Sequence, residues 1–308
     1  MTIHMKKLSV SILVVLQIIA AGCNKADTGV RKAVFSIQPF QLSEDDTPFT
    51  RTSVQNGNQF IWADGDTVGI YPNAGAQVYF SMTEGAGASS AEFDGGGWDF
   101  KPSATYYSYY PFIGDIYLDR KHIPVHFIGQ KQTGTTGISH IGPYDFMYTA
   151  PSSAADGMVN FSYKHLCCII RPRVTLPAGT WTKLAVTAPT AVFATKGYFD
   201  LTAETPAIVP TELSEQIQID LEGITLTEET QFQVYLMSAP VDLNGVEITV
   251  SVLNDQKKEF QCKKTPSRAY TSAYIGGLTC STWTEVPQSM GMIIEDWGNG
   301  GSIGGSAE

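Results

Sequence analysis

Beyond residue 30 the apolar segments of this chain are short and largely β-branched or aromatic, and Gly, Pro, Asn or Asp interrupts them within about twelve residues. A helix needs an apolar stripe recurring every 3.6 residues over about three turns, and no stretch beyond residue 30 carries one. The segment Val246-Glu-Ile-Thr-Val-Ser-Val252 instead places apolar residues at every second position, which buries one face of a strand and wets the other. Phe232-Gln-Val-Tyr-Leu-Met237 alternates less cleanly, as a strand covered on both faces does. Charged residues make up 16% of the 308, against about 25% in an average soluble protein, and Gly, Thr, Ser, Tyr and Phe take the missing share. The fold class that follows is all-β, with sheets stacked as sandwich layers.

The period predicts strands over 33–40, 59–61, 67–71, 77–82, 91–93, 105–110, 123–127, 158–163 and 166–174 in the first half. In the second half it predicts them over 181–188, 197–201, 216–221, 229–237, 246–254, 258–262 and 273–280. Proline cannot donate to a central ladder, so Pro172 predicts a strand end or bend, and with Pro177 it marks a break between two domains. The division is an N-terminal β-sandwich over 33–175 and a C-terminal β-sandwich over 176–297. Residues 298–308 form a Gly-rich flexible tail, with five glycines in 298–305.

The start of the chain has a different character. Lys6 and Lys7 precede an apolar run from Leu8 to Ala20, and Ala20-Ala21-Gly22 leads into Cys23. A run of 13 residues is too short to span roughly 30 Å of hydrocarbon as a helix, so residues 1–22 read as a lipoprotein signal peptide. Cys23 is then the lipidation site and 23–32 a lipid tether. Removing 22 of the 308 residues leaves 286, and losing Lys6 and Lys7 takes the net charge from −10 to −12. Acyl chains on Cys23 would hold the mature chain to a membrane.

Several functions are excluded by what the chain lacks. Thirty acidic residues outnumber 20 basic ones, and no Lys/Arg run exceeds two residues, which removes the electrostatic footprint of a nucleic-acid partner. No P-loop and no G-x-G-x-x-G occurs, and neither a catalytic constellation nor a cofactor is expected. Trp62-Ala-Asp64-Gly-Asp66 lacks the further ligands of a calcium loop and reads as a turn. His122 and His126 would lie about 13 Å apart along a strand, too far to share one metal. Cys167 and Cys168 point to opposite faces of a strand and act as small hydrophobes; His165 beside them does not make a reactive thiol in so apolar a run. Cys262 and Cys280 fall on consecutive strand candidates, a pair for which a bridge is open.

A family resemblance rests on several of these pieces in order. They are the signal peptide ending at Cys23, the Arg51-Thr52 junction, Phe60-Ile-Trp-Ala-Asp-Gly-Asp66-Thr-Val-Gly-Ile70-Tyr71, the run Tyr106 to Pro111, and Phe161-x-x-x-His165-Leu. Over roughly residues 30–297 the chain resembles the fimbrillin-like (Mfa-like) family, subunits and accessory lipoproteins of type V pili. The resemblance implies two tandem transthyretin-like β-sandwiches, export as a lipoprotein to the outer membrane and cell surface, and a protease cut after an arginine that detaches the first strand. A strand from another pilin subunit then fills the vacancy, which is β-augmentation.

Carried onto this sequence, the cut falls at Arg51, with Arg31 as the alternative, and the groove-filling first strand contributes Val34, Phe35 and Ile37. Met290, Met292 and Ile294 are either a donor segment or the last strand of the second domain. Partners are other pilin subunits, the membrane through Cys23, and a host or bacterial surface ligand. The alternative function is a surface glycan-binding lipoprotein stacking sugars on Tyr106 to Tyr110 or on Trp98.

Overall fold

In the strand Met158–His165 the sequence alternation becomes a layer: Val159, Phe161, Tyr163 and His165 are buried while Asn160, Ser162 and Lys164 are exposed. The computed structural model describes residues 32–42, 60–102, 104–115, 117–155 and 158–287, and within them the protein is almost entirely strand and turn. Cys23, Arg31, Arg51, Met290, Met292 and Ile294 lie outside the described residues.

The first body is one eight-stranded sheet. Its order runs Ser152–Ser153, Thr105–Tyr110, Thr67–Pro72, Val78–Glu84, Ser90–Asp94, Lys32–Ile37 (β1), Met158–His165 and Met147–Thr149. Met147–Thr149 also pairs back to Thr105–Tyr110, through Tyr109 with Tyr148 and Tyr110 with Met147, so the sheet closes on itself as a barrel does. The expectation for this half was two stacked layers; the structure shows a single closed sheet. Its interior holds Ala33, Phe35, Trp62, Val68, Ile70, Phe80, Phe93, Phe100, Val159 and Phe161.

The second body has three sheets. A five-stranded sheet orders Thr230–Gln233, Cys168–Leu176, Tyr274–Cys280 and Gln41–Leu42 (β2), with Leu236–Ser238 also on Cys168–Leu176. A six-stranded sheet runs Thr284–Glu285, Glu259–Lys264, Ile248–Asn254, Gly179–Thr187, Gln216–Leu226 and Lys131–Thr133. The third orders Val209–Ser214, Phe193–Phe199 and Ile123–His126. Ile169, Val174 and Leu176 from the first of these share a core with Leu184, Val186, Ile219, Val250 and Val252 from the second.

Sheet membership divides the chain differently from a break at 175/176. Cys168–Leu176 pairs only with strands of the second body, so the change of body falls at Leu166 and Cys167. β2 and the segment 123–133 also leave the first half to join sheets of the second. Gln130 and Gln132 explain how that excursion is held. Both are buried, and the Gln130 amide bridges the Met237 carbonyl and N–H at 2.8 Å each, while the Gln132 amide donates to the Gln233 carbonyl at 2.9 Å and accepts from the Tyr235 N–H at 3.1 Å.

Pro172 lies inside a central strand, where an end or bend was expected. Its missing N–H falls where Cys168–Leu176 changes partner from Leu236–Ser238 to Thr230–Gln233, and its carbonyl accepts the Val234 N–H at 2.9 Å. The partner is interrupted at the same place, which accounts for the blurred alternation of residues 232–237.

Gly69 lies under the Tyr109 ring, whose hydroxyl is fixed on the Gln77 side chain at 2.7 Å, and a Cβ at Gly69 would run into that ring. Gly69→Ala is expected to lower stability by about 1–3 kcal/mol, read as a lower urea midpoint; an unchanged midpoint would mean that the ring can move.

Candidate functional site: the seat of the first strand

β1 is a central strand. It runs antiparallel to Ser90–Asp94, with Phe35 opposite Ala91, and parallel to Met158–His165, with Phe35 opposite Phe161. Alternation buries Ala33, Phe35 and Ile37 and turns Val34 and Ser36 to the other face, where they are half-buried. Of the predicted groove residues, Phe35 and Ile37 therefore point inward and Val34 does not; Ala33 takes that place because side chains alternate strictly along the strand.

The Phe35 ring sits among Phe93 at 4.6 Å, Phe161 at 4.9 Å and Tyr163 at 5.8 Å. Above it the Trp62 indole N–H donates to the Phe35 carbonyl at 3.3 Å, and the Trp62 ring packs edge-on against Phe93, Tyr110 and Tyr163. Trp62 is held in turn by its own turn: Asp66 accepts the Ala63 N–H at 2.7 Å and the Tyr110 hydroxyl at 2.9 Å. Burial raises the Asp66 pKa above the ordinary carboxylate range, and burial beside Asp66 pushes the Tyr110 hydroxyl well up. The acidic turn thus braces the first strand.

Past Ile37 the chain crosses from one body to the other. The Gln38 N–H donates to the Tyr163 carbonyl at 3.1 Å, and the Gln38 carbonyl meets His165 Nε2 at 2.8 Å. His165 Nδ1 lies 2.8 Å from Asp145 Oδ1, with both side chains buried. Phe40 is buried against the His165 ring at 3.9 Å and the Phe60 ring at 4.8 Å. The Gln41 N–H donates to the Ala273 carbonyl at 2.7 Å, and β2 runs parallel along Tyr274–Cys280. Residues 32–42 therefore close the first sheet, fill the junction and edge a sheet of the second body.

His165 is committed to Asp145 and Gln38, and burial raises the Cys167 thiol pKa well above its ordinary value, which disfavours its thiolate. Among the described residues no three His, Cys, Asp or Glu side chains gather as metal ligands. Of the residues offered as a stacking platform for sugars, Tyr106, Tyr109 and Tyr110 are buried, and Tyr107 and Trp98 are half-buried under Arg120 and against Phe100 respectively. Asp145 had no sequence signal, because its role depends on a fold that brings it to His165 from 20 residues away.

The geometry defines an all-β protein of two joined bodies threaded by one N-terminal segment. Solved structures with this fold include two proteins provisionally described as cell adhesion proteins. The one from Bacteroides uniformis has a TM-score of 0.52 at 14% identity, covering 73% of this chain and 92% of its own. The one from Bacteroides ovatus has a TM-score of 0.52 at 14% identity, covering 83% and 95%. The tip fimbrial protein Mfa3 of Porphyromonas gingivalis, truncated at its C-terminus, matches more loosely, with a TM-score of 0.36 at 9% identity over 72% and 94%. No family model matches the chain, and no curated protein matches its sequence. At these identities the likeness establishes the fold.

Emptying the Phe35 nest is expected to be severe: Phe35→Ala should cost about 3–5 kcal/mol, measured by denaturant unfolding. His165→Ala leaves the Gln38 carbonyl and Asp145 without their shared partner, and should speed proteolysis around residues 38–42 while leaving the Phe35 nest packed. Equal cleavage rates in wild type and variant would count against a latch at His165.

Proposed function

We propose that the chain is a fimbrillin-like surface lipoprotein, a structural or adhesive component of a pilus, whether stalk, tip or anchor, joined to neighbouring pilin subunits by strand exchange. The observation that carries this reading is the place of β1: an N-terminal segment, near enough to the start to be cut away, sits in the middle of a closed sheet. Terminal strands that need no exchange can lie at an edge; a central one leaves two open ladders when it departs.

The energetics favour replacement over vacancy. Phe35, Ile37 and Phe40 are all buried, and at about 1.5–3 kcal/mol each their removal costs roughly 5–9 kcal/mol, against total domain stabilities of about 5–15. A body stripped of residues 32–42 is marginal alone and gains by accepting a new strand. Because β1 is parallel to one neighbour and antiparallel to the other, a donor finds one ladder of each kind whichever way it enters. It needs small or apolar residues at the places of Ala33, Phe35 and Ile37, and an aromatic one further on at Phe40. The fold shared with the Bacteroides proteins and the sequence resemblance support the same assignment.

In this reading Cys23 carries the acyl chains that hold the unprocessed protein on the outer membrane, Arg51 is the processing point, and Arg31 is the alternative. Met290, Met292 and Ile294 supply a donor or a last strand. Mild trypsin should trim the mature protein to a new N-terminus at Thr52 and yield multimers linked by exchanged strands, seen by N-terminal sequencing and size exclusion. A chain that stays whole, or one that is trimmed and stays monomeric, removes the proposal. A synthetic peptide spanning residues 32–42 should block multimer formation, and the same peptide carrying Phe35→Asp should not.

A further inference from the structure

We propose that Cys262 and Cys280 form a disulfide in the exported protein, stapling together the two large sheets of the second body. Cys262 is the one buried residue of Glu259–Lys264, a strand of the six-stranded sheet. Cys280 ends Tyr274–Cys280 in the five-stranded sheet, where Leu278 and Cys280 turn inward and Gly277 and Thr279 outward. Both belong to the same core, and four residues beyond Cys280 the chain pairs along the strand that carries Cys262, with Thr284 opposite Gln261. That return brings two inward-facing cysteines, each on a strand held by its own ladder, to one end of the same core, where an S–S bond of about 2.05 Å would join them.

The other two thiols contrast with this pair. Cys167 lies 3.4 Å from the Tyr144 carbonyl and Cys168 lies 3.4 Å from the Ala239 carbonyl, on opposite sides of the chain. One bridge and two lasting thiols follow.

Oxidation removes two protons and two electrons from the pair. A disulfide of the thiol–disulfide oxidoreductase class accepts them: one thiolate opens it to a mixed disulfide, the second cysteine displaces the enzyme, and the enzyme leaves as a dithiol. Burial raises the Cys280 pKa, so the exchange belongs to the folding chain and not to the finished core. The proposal rests on the export reading, since the cytoplasm keeps such thiols reduced. Its position also suits strand exchange. Tyr274–Cys280 is the strand that β2 lies along; when residues 32–42 leave, it loses that neighbour, and the staple still holds its far end to the facing sheet.

The test uses two samples. Mature protein from cell envelopes, digested without reductant, should give the Cys262 and Cys280 peptides linked and about 2 Da lighter than their sum, with Cys167 and Cys168 open to alkylation after unfolding. Full-length chain refolded from the reduced, denatured state in a glutathione redox buffer should acquire the same link. Reductant should then lower its thermal midpoint by about 5–10 °C, and Cys280→Ser should abolish that response. No link on refolding, or one through Cys167 or Cys168, overturns the geometry. A link on refolding beside four free thiols in the envelope protein overturns oxidation in the cell and the export on which it rests, and leaves the strand-exchange assays unaffected.

Discussion

Pairing of β1 along both of its edges is the constraint from which the rest of the molecule takes its form. With β1 in place, Ser90–Asp94 and Met158–His165 have no free ladder between them and the first sheet closes. The continuation through Phe40 and β2 makes the same segment a contact between the bodies. A strand placed this way exerts its effect on two cores at once, so its stability and its removal are both properties of the whole protein. Surface-strand losses elsewhere, such as that of the exposed Val209–Ser214, would open only a margin.

The motifs that suggested a family turn out to be physically one arrangement. Trp62 reaches the Phe35 carbonyl, Asp66 secures the Trp62 turn through Tyr110, and His165 takes the Gln38 carbonyl. Each satisfies a buried polar group created by threading one segment between two bodies, and a buried carbonyl left without a partner costs about 1–3 kcal/mol. Asp66 in its acidic turn and His165 beside two cysteines are here the polar fittings of an apolar seat.

Much of this was legible from period alone. Alternation along residues 158–165 places Phe161 and His165 on one face because they are four apart, and the same rule applied to 33–37 puts Phe35 and Ile37 together and excludes Val34. Thr105–Tyr110 was bounded correctly by its neighbouring turn residues. Val209–Ser214 was missed because it is polar and mostly exposed, with almost no apolar signal to read. Lys131–Thr133 was missed because what holds it is a set of glutamine amides meeting main-chain groups about a hundred residues away. Pro172 misled because a proline is excluded from a ladder only where a donor is required, and the gap between two short partner strands requires none.

The amino-acid sequence by itself determined that the protein is built of strands and which faces of the apolar ones are buried. These are local properties, set by side-chain period and backbone preference within a few residues. Which strand lies beside which was decided only by tertiary structure. The centrality of β1, the closure of the first sheet, the crossing of 123–133 into the second body, and the gathering of Cys262 and Cys280 into one core all depend on contacts between residues far apart in the chain. Such pairings follow from packing two cores at once, and no local pattern encodes them.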